Sequence, residues 1–195
     1  MITFSPGIEL ARLRNLCDVI DDVIERHGTI LDRVAPAVSA WSAEHQIAHI
    51  ALANELVLRN LRSLARGSGA LVVANAEQRP QVIAMLAAGT FQRGQAQSPR
   101  MVRPPETIDR DLMLQWLADG RREIELLLEN PALLDVQHLF VPHQILGPLN
   151  APQWARFAAA HTNHHLTIAY EVLRASAVRD LDLRTLPSFP SLSAT

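Results

Sequence analysis

Apolar residues recur at helical spacing in four long stretches of the chain. In the first, roughly residues 7–35, Leu13, Leu16, Ile20, Val23, His27, Ile30 and Val34 follow alternating steps of three and four. That is the stripe of a helix packing against others. Gly28 weakens or kinks it, and Pro36 marks a stop. The second stretch, WSAEHQIAHIALANELVLRNLRSLARG, opens at residue 41. Ser42 suits its N-cap, Glu44 the positive end of its dipole, and Gly67 its stop. The third has Thr107 as N-cap. Met113, Trp116, Leu117, Gly120, Ile124, Leu127 and Leu128 supply its inward face, and Pro131 lies just beyond its end. The fourth starts near Asn150, with Pro152 in the first turn where the missing N–H costs little, and ends near Ala177.

Between the second and third helices, residues 67–105 hold four Gly and four Pro around a short apolar piece, PQVIAMLAAG. This predicts a long crossover containing one short helix. Such a crossover can join helices at the same end of a bundle or at opposite ends. The segment LFVPHQILGPLN before the fourth helix reads as an ordered loop. The tail, residues 178–195, ends in RTLPSFPSLSAT, which has Pro and Ser and no period; a surface strap or disorder is expected. No tandem repeat and no strand-like alternation is present. The expected fold is therefore all-α: one domain over residues 1–195 with its core at about 7–177, and four principal helices around one core.

Composition narrows the classes. Of 195 residues, 48 % are apolar and 19 % charged, enough for a substantial core. The net charge of −2 leaves no electrostatic footprint for nucleic acid or an anionic membrane, so neither partner is expected. A single cysteine, Cys17, excludes an intrachain disulfide and fits a reducing compartment. Cys17 has no adjacent activating base and reads as a small buried hydrophobe. The N-terminal residues show no secretory pattern and no apolar run reaches membrane-spanning length, so a cytoplasmic location is expected. Phosphate-loop, dinucleotide, serine-hydrolase and Cys-x-x-Cys motifs are all absent, as are the Glu-x-x-His pairs of di-iron bundles.

Chemistry concentrates in HTNHH, residues 161–165, which holds three of the eight histidines. Residues four apart share a helix face. His161 and His165 extend the stripe Trp154, Phe157, Ile168 and Val172, so both point inward. Two imidazoles one turn apart can converge on one divalent cation, or stand as hydrogen-bonded core histidines without one. A metal site needs a third ligand from another helix, and His49 is the best placed. His164 lies about 100° from His165 around the helix and suits a neighbouring, interface or surface role. His45, one turn before His49, suits the pocket rim first and a spare ligand second, and His27 suits a satisfied core position. His143 fits two roles equally: a general acid/base lining the pocket, or a tie between its loop and the fourth helix. His138 carries no motif. Trp41, Trp116 and Trp154 suit packing at helix starts and in the core. Arg93, Arg100 and Arg103 suit a solvated loop first and a hold on an anionic cosubstrate second.

WSAEHQIAHIALANE followed much later by HTNHH resembles the DinB-like (YfiT-like) superfamily of metalloenzymes. The segment HQILGPLNAPQW, with His143, Gly147, Leu149, Asn150 and Trp154, is similar to one uncharacterised branch of it. Asn150 stands where that branch has Thr, and both cap helices. Ile168 stands where many relatives carry Gln. The resemblance implies a four-helix bundle, up-down-down-up and homodimeric. It also implies a divalent ion, zinc or nickel, held by His49, His161 and His165. The activity implied is that of a metal-dependent enzyme, with a low-molecular-weight thiol as cosubstrate of an S-transferase or isomerase. A metal-dependent hydrolase is the second catalytic reading. A non-catalytic, dimerising, stress-associated bundle with remnant histidines is the third.

Overall fold

The computed structural model describes residues 2–94, 97–177, 181–187 and 189–192. It is mostly helical, with a small three-stranded sheet. The helices are α1 (Pro6–His27), α2 (Ala43–Ala65), α3 (Pro80–Ala88), α4 (Arg110–Glu129) and α5 (Ala151–Ser176). Among the described residues, no helix is long and apolar enough to cross a membrane.

Local chemistry sets the ends of the two helices that matter most. Ser42 caps α2, its side chain accepting from the His45 N–H. Asn150 caps α5 in a reciprocal box: its side chain accepts from the Gln153 N–H, and the Gln153 side chain accepts from the Asn150 N–H. α1 is shorter than its apolar stripe. It gives way to a 3₁₀ turn at Gly28–Ile30, which leaves Val34 exposed. Asp109, not Thr107, caps α4, because it is the Asp109 carboxylate that reaches the Leu112 N–H.

α5 packs against α1 and α2, and α4 covers the other side of the same two helices. α4 buries only Met113 and Ile124 fully, so its predicted inward face is mostly half-buried. The crossover carries α3, as its apolar piece predicts, and a 3₁₀ turn at Arg100–Val102.

The expectation of a strand-free chain is corrected. Strands β1 (Val73–Ala74), β2 (Leu139–His143) and β3 (Gly147–Leu149) form an antiparallel sheet in that order. The register sets Val73 opposite Phe140, Val141 opposite Leu149, and His143 opposite Gly147. Short strands with a proline in each arm of the hairpin, Pro142 and Pro148, carry no alternation that a sequence pattern can register.

Buried apolar residues form two clusters. One joins Leu10, Leu61, Leu86, Trp154 and Phe157; the other joins Ile20, Ile47, Leu166, Tyr170 and Val172. Between them, α2 and α5 present a polar belt: His49 and Asn54 on one helix, His161, Thr162 and His165 on the other.

The described part of the tail, residues 181–187 and 189–192, returns over the helices as a strap. The Asp182 carbonyl accepts from His27, and the Leu192 N–H donates to the Ala87 carbonyl. At its centre is Arg156, 0 % exposed, which donates to Glu9 and to the carbonyls of Leu86, Ala87 and Pro190. Phe189 stacks over the guanidinium at 4.1 Å. It also lies against Gly89, the left-handed cap of α3 (φ 68°), where a Cβ would collide with the ring. Removing Arg156 empties a fully buried site and takes one charged donor from Glu9 and from each of the three carbonyls, although Glu9 keeps Arg12 at 2.6 Å and the Leu86 and Ala87 carbonyls keep the N–H groups of Gly89 and Leu192. Arg156→Ala is expected to cost about 3–5 kcal/mol in urea unfolding, against under about 1 kcal/mol for the exposed Arg59→Ala.

Candidate metal centre

Antiparallel docking of α2 on α5 brings His49 to the pair one turn apart on α5. The ring centroids of His49, His161 and His165 lie 4.4–5.1 Å from one another. One nitrogen from each ring can be chosen so that all three lie within 4.8 Å. His49 is buried at 2 % exposure, and the other two are half-buried.

The outer hydrogen bonds decide which nitrogen each ring offers. His49 Nδ1 lies 2.7 Å from the Val102 carbonyl. A carbonyl only accepts, so Nδ1 carries the proton and Nε2 keeps its lone pair. His165 Nδ1 lies 2.7 Å from Gln46 Oε1, while Gln46 Nε2 donates to Ser39 Oγ at 3.1 Å. His165 Nε2 is then free of a proton too. His161 Nε2 sits 3.3 Å from His49 Nε2, and its buried Nδ1 has no hydrogen-bond partner. Metal–nitrogen bonds of about 2.0–2.1 Å at a tetrahedral angle hold their nitrogens about 3.3–3.4 Å apart. The His49–His161 pair therefore already has the spacing of two ligands on one ion, and the donor set fits a divalent cation.

Electrostatics favours the neutral, ligand-ready form. Burial lowers the pKa of His49, against the opposing hydrogen bond to Val102. Burial lowers His161 and His165 well below the ordinary value, and mutual repulsion among the imidazoles adds to it. Among the described residues, no carboxylate belongs to the cluster.

Aromatic rings wall the site. Trp41 lies 5.2 Å from His49, so it lines the site as well as packing at the start of α2. Phe157 stacks on His161 at 5.1 Å, and Phe91, from the loop after α3, meets Phe157, His161 and His164 edge-on. His164 is half-buried beside His165. Arg93 is not free in solvent: it grips the Glu171 carboxylate through two bonds of 2.7 and 2.8 Å.

His143 stands apart. The Phe157 ring lies 4.8 Å from it, on the way to His161. Its Nδ1 accepts from the backbone N–H groups of Ile145 and Leu146, and burial lowers its pKa to about 4. These bonds tie the β2–β3 turn; a catalytic part for His143 remains a proposal. His45 bridges Ser42 and the Glu106 carbonyl, away from the cluster. His27 is satisfied by the tail, and His138 is exposed. Burial pushes the Cys17 thiol up to about 12, which makes it inert at neutral pH. Sequence reasoning missed Gln46, Phe91 and the Val102 carbonyl. Only Gln46 left a signal, three residues before His49 on the same face.

A family model described as the DinB superfamily matches residues 14–169. The chain belongs to that superfamily. No curated protein and no solved structure gives a significant match.

Two outcomes follow from the geometry. His143→Ala leaves two N–H groups of the turn unpaired and is expected to cost about 1–3 kcal/mol in urea unfolding. His143→Asn, whose Oδ1 can accept the same bonds, should recover part of that loss. The lowered histidines also set a pH dependence. From 6.5 down to their folded values, about 4 for His143, the unfolded chain binds more protons than the folded one. The contribution of these histidines to the stability of the metal-free chain is therefore fully present above pH 6.5 and lost progressively as pH falls toward 4, measured as the urea midpoint across that range.

Proposed function

We propose that this DinB superfamily member is a divalent-metal-dependent enzyme whose ion is held by Nε2 of His49, His161 and His165. The observation that carries the reading is the convergence of three neutral imidazoles, two of them with the outer nitrogen already engaged. Zinc or nickel suits such a donor set. Bound there, the ion supplies Lewis acidity toward a water molecule or a thiol.

The chain's own residues do the rest. Three uncharged ligands leave the full 2+ charge on the site, which favours an anionic partner such as the thiolate of a small cosubstrate. Trp41, Phe91 and Phe157 keep bulk water from the imidazoles and lower the local dielectric, which strengthens that attraction. The reaction class proposed is S-transfer or isomerisation with a low-molecular-weight thiol.

The finer architecture belongs to the same proposal: a four-helix bundle in up-down-down-up order. Pairing of Asn54 with Thr162, Arg62 with Glu123, and Arg121 with Asp18 and Asp21 supports it. The homodimer is proposed from the resemblance of the sequence to this superfamily.

The wild-type chain is expected to carry about one zinc or nickel per chain by elemental analysis at pH 7.5, and to lose it only at a pH well below the ordinary histidine value, because burial lowers all three imidazoles. His161→Ala/His165→Ala should lose it, and unchanged metal content in that variant would refute the site. With metal bound, turnover that requires an added thiol supports transferase chemistry; thiol-independent turnover points to hydrolysis.

A further inference from the structure

We infer that Gln46 is a positioning residue for the metal centre, setting the tautomer of His165 and so deciding whether its Nε2 offers a lone pair or a proton. The inference rests on the metal reading above. Of the three imidazoles, His49 is oriented by a backbone carbonyl, and His161 Nδ1 has no partner. His165 alone is oriented by a side chain, at 2.7 Å.

Gln46 is itself held. It is 3 % exposed and lies one turn before His49 on α2. Its Nε2 donates to Ser39 Oγ, which also accepts from the Trp41 N–H at 3.0 Å. Ser39 is fixed in turn by the tight turn in which its N–H donates to the Ala35 carbonyl at 3.0 Å. A short segment ahead of α2 thus determines which end of the Gln46 amide faces α5.

The orientation matters because an amide has two unlike ends. With Oε1 toward His165, the imidazole proton sits on Nδ1 and the lone pair of Nε2 faces His49 and His161. With the amide reversed, its NH₂ donates to Nδ1 and the proton moves to Nε2, pointing into the space where the ion would sit. A carboxylate at this position only accepts, so it fixes the first state; an aliphatic side chain fixes neither.

The test uses the full chain stripped of metal, with Gln46→Leu and Gln46→Glu. Circular dichroism verifies folding first. Long-range ¹⁵N–¹H correlation of the His165 ring reports the tautomer without any metal. Competition with a chromophoric chelator reports zinc affinity. Wild type and Gln46→Glu should both show the Nδ1–H form, and Gln46→Glu should bind zinc at least as tightly as wild type. Gln46→Leu should lose the single tautomer and bind zinc about 10–100-fold more weakly.

A folded Gln46→Leu with wild-type tautomer and affinity overturns the inference, and the metal reading then stands. So does a folded Gln46→Glu that shows the Nε2–H form. If wild type binds no zinc, the metal reading fails and the tautomer measurement alone decides the role of Gln46. If Gln46→Leu does not fold, Gln46→Glu against wild type decides it.

Discussion

A buried polar side chain has to find a partner, and along the seam between α2 and α5 that requirement admits one register. Gln46 meets His165, His49 meets His161, and Asn54 meets Thr162. Sliding either helix by a turn would separate all three pairs and press their polar atoms against apolar neighbours. Each orphaned group would cost about 1–3 kcal/mol. The apolar clusters above and below supply most of the driving force for docking, but they tolerate small slips. The polar belt does not, and it is this intolerance that delivers three imidazoles to one place.

The same belt explains why the site is both buried and uncharged. The imidazoles lie too close together, and too far from bulk water, for protonation to be cheap. Among the described residues, no acidic one joins the cluster to offset a positive charge. Neutral nitrogens facing a common centre attract a cation. Aromatic rings close the sides, and one of them, Phe91, belongs to the loop that leaves α3 through Gly89. The C-terminal strap presses on that glycine and on Arg156, so chain segments distant in sequence fix one wall of the site.

Much of this was legible in the sequence because helical periodicity is a strong signal. It placed α2 and α5, and put His161 and His165 on an inward face. The role of His49 as their partner drew on the resemblance of two motifs as well as on the apolar face around it. Other features left weaker traces. The β2–β3 hairpin is too short and too proline-rich to alternate. Thr107 and Asp109 are both capping residues two positions apart, and only the reach to the Leu112 N–H distinguishes them. The stripe of α1 continues to Val34, yet the helix stops at His27 and leaves that valine exposed. The Val102 carbonyl could not be found at all, since every residue has a carbonyl and only tertiary structure brings this one to His49. Gln46 was findable from its spacing, but a glutamine beside a histidine on a helix carries no meaning until a second helix is placed against it.

The most direct measurement is a crystal structure of the zinc- or nickel-loaded chain, with anomalous data collected on both sides of the metal absorption edge. One strong anomalous peak is expected between the rings of His49, His161 and His165. Their Nε2 atoms should lie about 2.0–2.1 Å from it, with a further coordination position left for a ligand that is not part of the chain. A loaded crystal whose peak lies elsewhere, or is held by other residues while these three imidazoles keep to hydrogen bonds among themselves, would contradict it.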